Sequence, residues 1–165
     1  MGSVRSQDGT RIAFDQLGAG PALILVVGAF NERAAGAPLA QELAAHFTVL
    51  NYDRRGRGAS DDRAPYAIER ELEDLAALID HAGGTARVFG YSSGAILALR
   101  AAAHGLAIAR LALYDPPPTG GKAGEIAPRL AALIDAGRRG DAVELFQTEA
   151  VGIPPAVVAQ LRNAP

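Results

Sequence analysis

Gly90-Tyr91-Ser92-Ser93-Gly94 is a G-x-S-x-G stretch set between the apolar run Ala86 to Phe89 and the helix-forming run Ala95 to Ala103. Its place is a strand-to-helix turn, where a serine nucleophile belongs. On such a turn serine is held in a strained backbone conformation that only small neighbours tolerate, which lifts its hydroxyl off the sheet and aims nearby amide hydrogens at one spot. Gly90 and Gly94 supply the room. Alone, these five residues read equally well as an ordinary turn serine. Their surroundings decide.

Upstream, Arg11 to Gln16 alternates loosely, and Gly18-Ala19-Gly20-Pro21 leads into Ala22 to Val27, a continuous apolar run that reads as a strand covered on both faces. Pro38 near a helix start, followed by Leu39, Leu43 and Ala44, predicts a crossover helix over Gly36 to His46, feeding a strand from Phe47 to Tyr52. Ile68, Leu72, Leu75 and Ile79 form one helical stripe within Ala67 to His81. Glu69, Glu71, Glu73 and Asp74 crowd its start, where the helix dipole favours negative charge, and are expected to be solvated. Gly83-Gly84 ends it. Strand, turn, helix and strand then follow as Arg87 to Tyr91, Ser92, Ser93 to Gly105 and Ala109 to Tyr114. That alternation implies a parallel sheet. Beyond Pro116-Pro117-Pro118 and Gly120-Gly121 the pattern changes to three short helices, Ile126 to Ala136, Asp141 to Glu149 and Pro155 to Leu161. The chain is thus expected to divide at 118/119.

Composition narrows the chemistry. With 165 residues, 49% hydrophobic and 21% charged, there is enough material for one sizeable core. A net charge of -2 gives no general attraction to phosphate backbones or acidic membranes. Arg54, Arg55 and Arg57 are followed at once by Asp61 and Asp62 and read as a turn answered by those acids, not as a nucleic-acid patch. No cysteine means no disulfide and no thiolate metal site, and the polar start Met1 to Arg11 lacks the apolar core of a signal peptide. A cytoplasmic location is expected. A dinucleotide fingerprint fails because Gly56 and Gly58 are followed by Asp61, and a P-loop fails because Pro116 stands where its first glycine should precede Gly121-Lys122. No metal and no cofactor are expected.

Asp53-Arg54-Arg55-Gly56-Arg57-Gly58-Ala59-Ser60 follows the strand ending at Tyr52. Together with the turn at Ser92 it resembles the α/β-hydrolase family, in which a D-x-R-G-x-G-x-S stretch ends the fourth strand and a nucleophile turn ends the fifth. Asp8-Gly9-Thr10-Arg11-Ile12-Ala13 resembles the early hairpin of these enzymes, and Leu113-Tyr114-Asp115-Pro116-Pro117 the end of their sixth strand. The resemblance implies an α/β fold, a mostly parallel sheet with helices on both faces, ending before a seventh and eighth strand, with 119–165 as part of a helical lid. It implies hydrolysis of an ester or similar acyl bond of a small-molecule substrate through a Ser92 acyl-enzyme, with backbone oxyanion donors at Ser93 and Ala29, and Phe30 as the neighbour that can replace Ala29. The loop Val27-Gly28-Ala29-Phe30 carries Val27 where His is usual. Two readings of Asp115 stand: the triad acid, or the cap of the loop into Pro116 with a later acid doing the work. Two rival functions share the scaffold, acyl transfer or perhydrolysis on the one hand and non-catalytic ligand binding on the other.

A serine hydroxyl needs a histidine to take its proton. His46 and His81 precede strands and therefore lie at the sheet edge opposite Ser92, while His104 ends the helix that Ser92 starts, about 18 Å away at the rise of an α-helix. In the family the catalytic histidine follows an eighth strand, so it is expected downstream of Pro165. Two origins fit, a fragment of a roughly 250-residue protein or a short homologue that lost the reaction, and typical domain sizes favour the first. These 165 residues are expected to show little or no activity by themselves. With no seventh strand, Ala109 to Tyr114 is expected to be an open edge that pairs with a second copy or with a complementing C-terminal polypeptide.

Overall fold

The computed structural model describes residues 1–117 and 123–162. The chain divides into two compact units, Met1–Pro117 and Pro118–Pro165. The boundary expected at 118/119 and the break at Gly120-Gly121 lie outside the described residues.

The first unit is built on a sheet in the order β1-β2-β4-β3-β5-β6. Its strands are β1 (Gly2–Arg5), β2 (Arg11–Leu17), β3 (Ala22–Val26), β4 (Thr48–Tyr52), β5 (Ala86–Tyr91) and β6 (Ile108–Tyr114). The β1–β2 hairpin and the β2–β4 pairing are antiparallel, and β4, β3, β5 and β6 run parallel. The hairpin closes over Asp8-Gly9, where Gly9 takes φ 85° and its amide donates to the Ser6 carbonyl at 2.9 Å.

Helices cover both faces. On one, α2 (Ile68–His81) and α3 (Ser93–Ala103) bury Leu72, Leu75, Leu78, Leu97 and Ala98 against Ile24, Val26, Leu50 and Val88 of the sheet. On the other, Ala40 of α1 (Arg33–Leu43) is buried in a smaller cluster with Leu23, Leu25 and Val49. Each fully buried Leu, Ile or Val contributes about 1.5–3 kcal/mol, so the larger cluster dominates the stability of this unit.

Helix α1 begins at Arg33, three residues before the expected start at Gly36, and Pro38 lies inside it. The reason is a cap from elsewhere in the chain. Glu32, at the N-cap position, makes no side-chain cap, and the first helical amide, Arg33 N–H, donates instead to Asp53 Oδ1 at 2.7 Å. That carboxylate stands twenty residues away in sequence, where no local pattern reveals it.

In the second unit, α4 (Ala123–Asp135), α5 (Arg139–Leu145) and α6 (Pro155–Arg162) are joined by a π-helical turn, Phe146–Ala150, that continues α5. The three expected helices are present with shifted ends. Arg129 clasps Glu149 through two hydrogen bonds of 2.6 and 2.8 Å, an exposed pair of a kind that adds little to stability because solvent and salt screen it. Among the described residues no helix is long and apolar enough to cross a membrane.

Candidate active site

Three described residues other than glycine have left-handed backbone: Phe30 at φ 60°, Ser92 at 54° and Asp115 at 49°. Each lies just past the C-terminal end of a strand, β3, β5 and β6, and those three strands are adjacent in the sheet. Such conformations cost about 1–3 kcal/mol each and persist only where the surroundings enforce them. Their concentration at one edge makes it the candidate site.

Ser92 leaves β5 and enters α3 with φ 54° and ψ -122°. Its amide donates to the Tyr114 carbonyl at 3.0 Å, and its carbonyl accepts the Ala95 amide at 2.9 Å, the first bond of the helix. The flanking glycines are compulsory. A Cβ on Gly90 would stand 2.6 Å from Ala95 Cα, and one on Gly94 would stand 2.1 Å from the Val26 carbonyl oxygen. A Cβ on Gly28 would come within 3.1 Å of Ser92 Cβ, so the loop after β3 passes directly against the serine side chain.

The structure therefore brings together Ser92, Ser93 and the loop carrying Ala29. Among the described residues, neither the Ala29 amide nor the Ser93 amide has an acceptor. The Ser93 amide is the first of α3, at the positive end of the helix dipole. Asp115 follows the residue whose carbonyl holds the Ser92 amide. The histidines are elsewhere. His81 ends α2 and packs on Phe14 with ring centroids 4.9 Å apart, His104 caps the far end of α3 with Nδ1 2.9 Å from the Arg100 carbonyl, and His46 precedes β4. No group of His, Asp or Glu among the described residues is arranged to hold a metal ion.

The arginines are not an exposed turn answered by Asp61 and Asp62. Arg54 and Arg55 are buried, and their partners are the supposedly solvated acids of α2. Arg54 donates from Nε and Nη2 to the two oxygens of Glu71, each at 2.6 Å, and Arg55 grips Asp74 in the same forked manner, each bond 2.7 Å. Asp61 pairs with Arg11 instead, at 3.0 Å. Burial alone would raise the Glu71 carboxyl, but the Arg54 hydrogen bonds and charge, with the Tyr66 hydroxyl, hold it below its usual range. Arg54 also reaches the site: its Nη1 donates to the Val27 carbonyl at 3.3 Å and to Ser93 Oγ at 3.2 Å. Arg57 Nη1 donates to the Gly28 carbonyl at 2.7 Å and to that of Asn31 at 3.3 Å. The sequence held one sign of this. Glu71 and Asp74 stand four and one residues before Leu75, on the arc that the apolar stripe buries.

Beside the turn, on the sheet face toward α1, lies a cavity of about 540 Å³ walled by Leu25, Val27, Phe89, Tyr91 and Tyr114. The Tyr91 and Tyr114 rings lie 5.8 Å apart.

The family model described as the alpha/beta hydrolase family matches residues 23–163. The chain belongs to that family. Among solved structures, this alpha/beta hydrolase is similar to an alpha/beta hydrolase from Sphaerobacter thermophilus DSM 20745, with TM-score 0.92 and 57% identity over 99% of this chain and 66% of that one. It is also similar to the enol-lactonase from Burkholderia xenovorans LB400, with TM-score 0.74 and 28% identity over 98% of this chain and 66% of the other. A curated relative, the pimeloyl-(acyl-carrier protein) methyl ester esterase of Xanthomonas campestris pv. campestris (strain B100), is 35% identical over 105 residues. That match takes in 63% of this chain and 40% of the esterase, so the hydrolase chain spans less than two thirds of these relatives.

Proposed function

We propose that this chain carries the nucleophile and the oxyanion-binding half of a serine hydrolase that cleaves an ester or similar acyl bond. One observation carries the reading: Ser92 is held in the left-handed region at the head of α3, with its side chain against Gly28. The esterase and lactonase among the chain's relatives support the bond type.

Ser92 Oγ attacks the acyl carbon, and the charge that develops on the carbonyl oxygen is taken up by the Ala29 and Ser93 amides, preorganised donors that need no rearrangement as the reaction proceeds. Collapse expels the alcohol and leaves the acyl group on Ser92, and water then releases it. Asp115, one residue from the carbonyl that holds the Ser92 amide, is the candidate acid of the triad. The base is a histidine that these residues do not supply, because all three described histidines belong to other parts of the fold.

The expected result is slow modification of Ser92 by an alkyl fluorophosphonate, followed by intact mass over hours, with no adduct on Ser92→Ala. Turnover of a p-nitrophenyl ester by the 165-residue protein should be feeble, since loss of one triad member leaves only binding and oxyanion stabilisation. Brisk turnover abolished by Ser92→Ala would show that a group of this chain serves as base. Absence of any adduct in the full-length chain, where the histidine is present, would instead favour a ligand-binding homologue.

A further inference from the structure

The Ala29 amide is aimed by a side chain that the mechanism above does not use. In a trans peptide the C=O and N–H point to opposite sides. The Gly28 carbonyl and the Ala29 N–H belong to one such peptide, and Arg57 Nη1 holds that carbonyl at 2.7 Å. The Ala29 N–H is thereby turned away from Arg57, to a side where it meets no acceptor among the described residues. The same nitrogen reaches the Asn31 carbonyl, so strained Phe30 is bracketed by two carbonyls on one guanidinium.

We propose that Arg57 is a positioning residue for the reaction: it grips the carbonyl side of the Gly28–Ala29 peptide and so sets the direction of the Ala29 N–H toward the oxyanion. This rests on the serine-hydrolase reading given above. Charge adds to the geometry. A cation on the carbonyl oxygen polarises the peptide and strengthens its N–H as a donor. Arg57 has no carboxylate partner among the described ion pairs, unlike Arg54 and Arg55, which are tied to Glu71 and Asp74. Burial and the neighbouring Arg54 charge lower its affinity for its proton. Arg55 is the natural control: it is as firmly built into the fold, but its hydrogen bonds run to Asp74, Asp8, Ser6 and Arg70, away from Ser92.

The test is the reaction of Ser92 with an alkyl fluorophosphonate, in which the Oγ–P bond forms, P–F breaks, fluoride leaves and the hydroxyl proton passes to solvent. Rate at saturation and half-saturating concentration are measured separately, with the thermal midpoint of each protein. Arg57→Met is expected to slow the saturated rate about tenfold or more, less than removal of an oxyanion donor outright, with half-saturation unchanged and the thermal midpoint not lowered. Arg57→Lys should restore part of the rate, because an ammonium can meet one carbonyl but not brace two. Arg55→Lys should lower the midpoint and leave the saturated rate alone. A folded Arg57→Met protein reacting within about twofold of its parent would overturn the inference, as would an equal loss in Arg55→Lys. Should Arg57→Met fail to fold, Arg57→Lys decides, and a full parental rate with a looser half-saturation would count against positioning. A Ser92 that forms no adduct even in the full-length chain overturns the serine-hydrolase reading itself, a separate result.

Discussion

Gly94→Ala is expected to lower the unfolding free energy by at least about 3 kcal/mol, a large share of the total for a domain of this size. Alanine is ordinarily the better helix former, by about 1 kcal/mol, so propensity alone predicts the opposite sign. The neighbours decide. The added Cβ would stand 2.1 Å from the Val26 carbonyl oxygen and 2.7 Å from Val26 C and the Val27 oxygen, all backbone of β3 or its continuation. No rotamer relieves that, so α3 must lift from the sheet, carrying Ser92 and Ser93 away from Gly28. Chemical denaturation checks it. A midpoint equal to that of the parent would mean that α3 slides on the sheet without penalty and that the turn at Ser92 is not fixed by this contact.

The second large effect concerns the buried ion pair. Glu71→Ala should cost about 3–5 kcal/mol, because it strands the Arg54 guanidinium without a counter-charge, whereas the double change Glu71→Leu with Arg54→Met should cost far less. A double variant no more stable than the single one would place the value of the pair in shape, not charge. The pair also carries a pH signature. Glu71 is held below its usual range in the folded protein, so its contribution is fully present above the unfolded carboxyl's pKa and disappears as pH falls through the folded one. Stability should therefore begin to decline as pH falls below the unfolded glutamate pKa of about 4.3, and less steeply in Glu71→Gln. Equal slopes in the two proteins would refute this.

The sheet and its helices were legible because their signals are local. Ala22 to Val27 and Phe47 to Tyr52 are apolar runs, and the stripe on α2 is periodic, so each segment carries its own assignment. The start of α1 was not legible, since its cap is Asp53. The same distance in sequence hid the arginine network: seventeen residues separate Arg54 from Glu71 and nineteen separate Arg55 from Asp74. Read alone, each charge belongs in water, and only the approach of the end of β4 to the face of α2 makes burial tolerable. Ser92, Ser93, Ala29 and Asp115 were named from motif order and do gather at one edge of the sheet. Arg57 was dismissed as part of a turn because nothing in the order of residues announces a bond to Gly28 twenty-nine positions earlier.

One bond described above bears on the timing of synthesis. The Ser92 amide is held by the carbonyl of Tyr114, twenty-two residues later in the chain. A ribosome adds about 5–20 residues per second, so for a second or more the elbow has been made while its partner has not. Through that interval β5 has no β6 beside it, and the strained turn lacks one of the contacts that impose its φ of 54°. A nascent chain halted with only Ser92 clear of the exit tunnel should therefore carry an inert serine, and reactivity should arrive as a step once Tyr114 has emerged. On the proposed reading Ser92 is thus silent until β6 has been made.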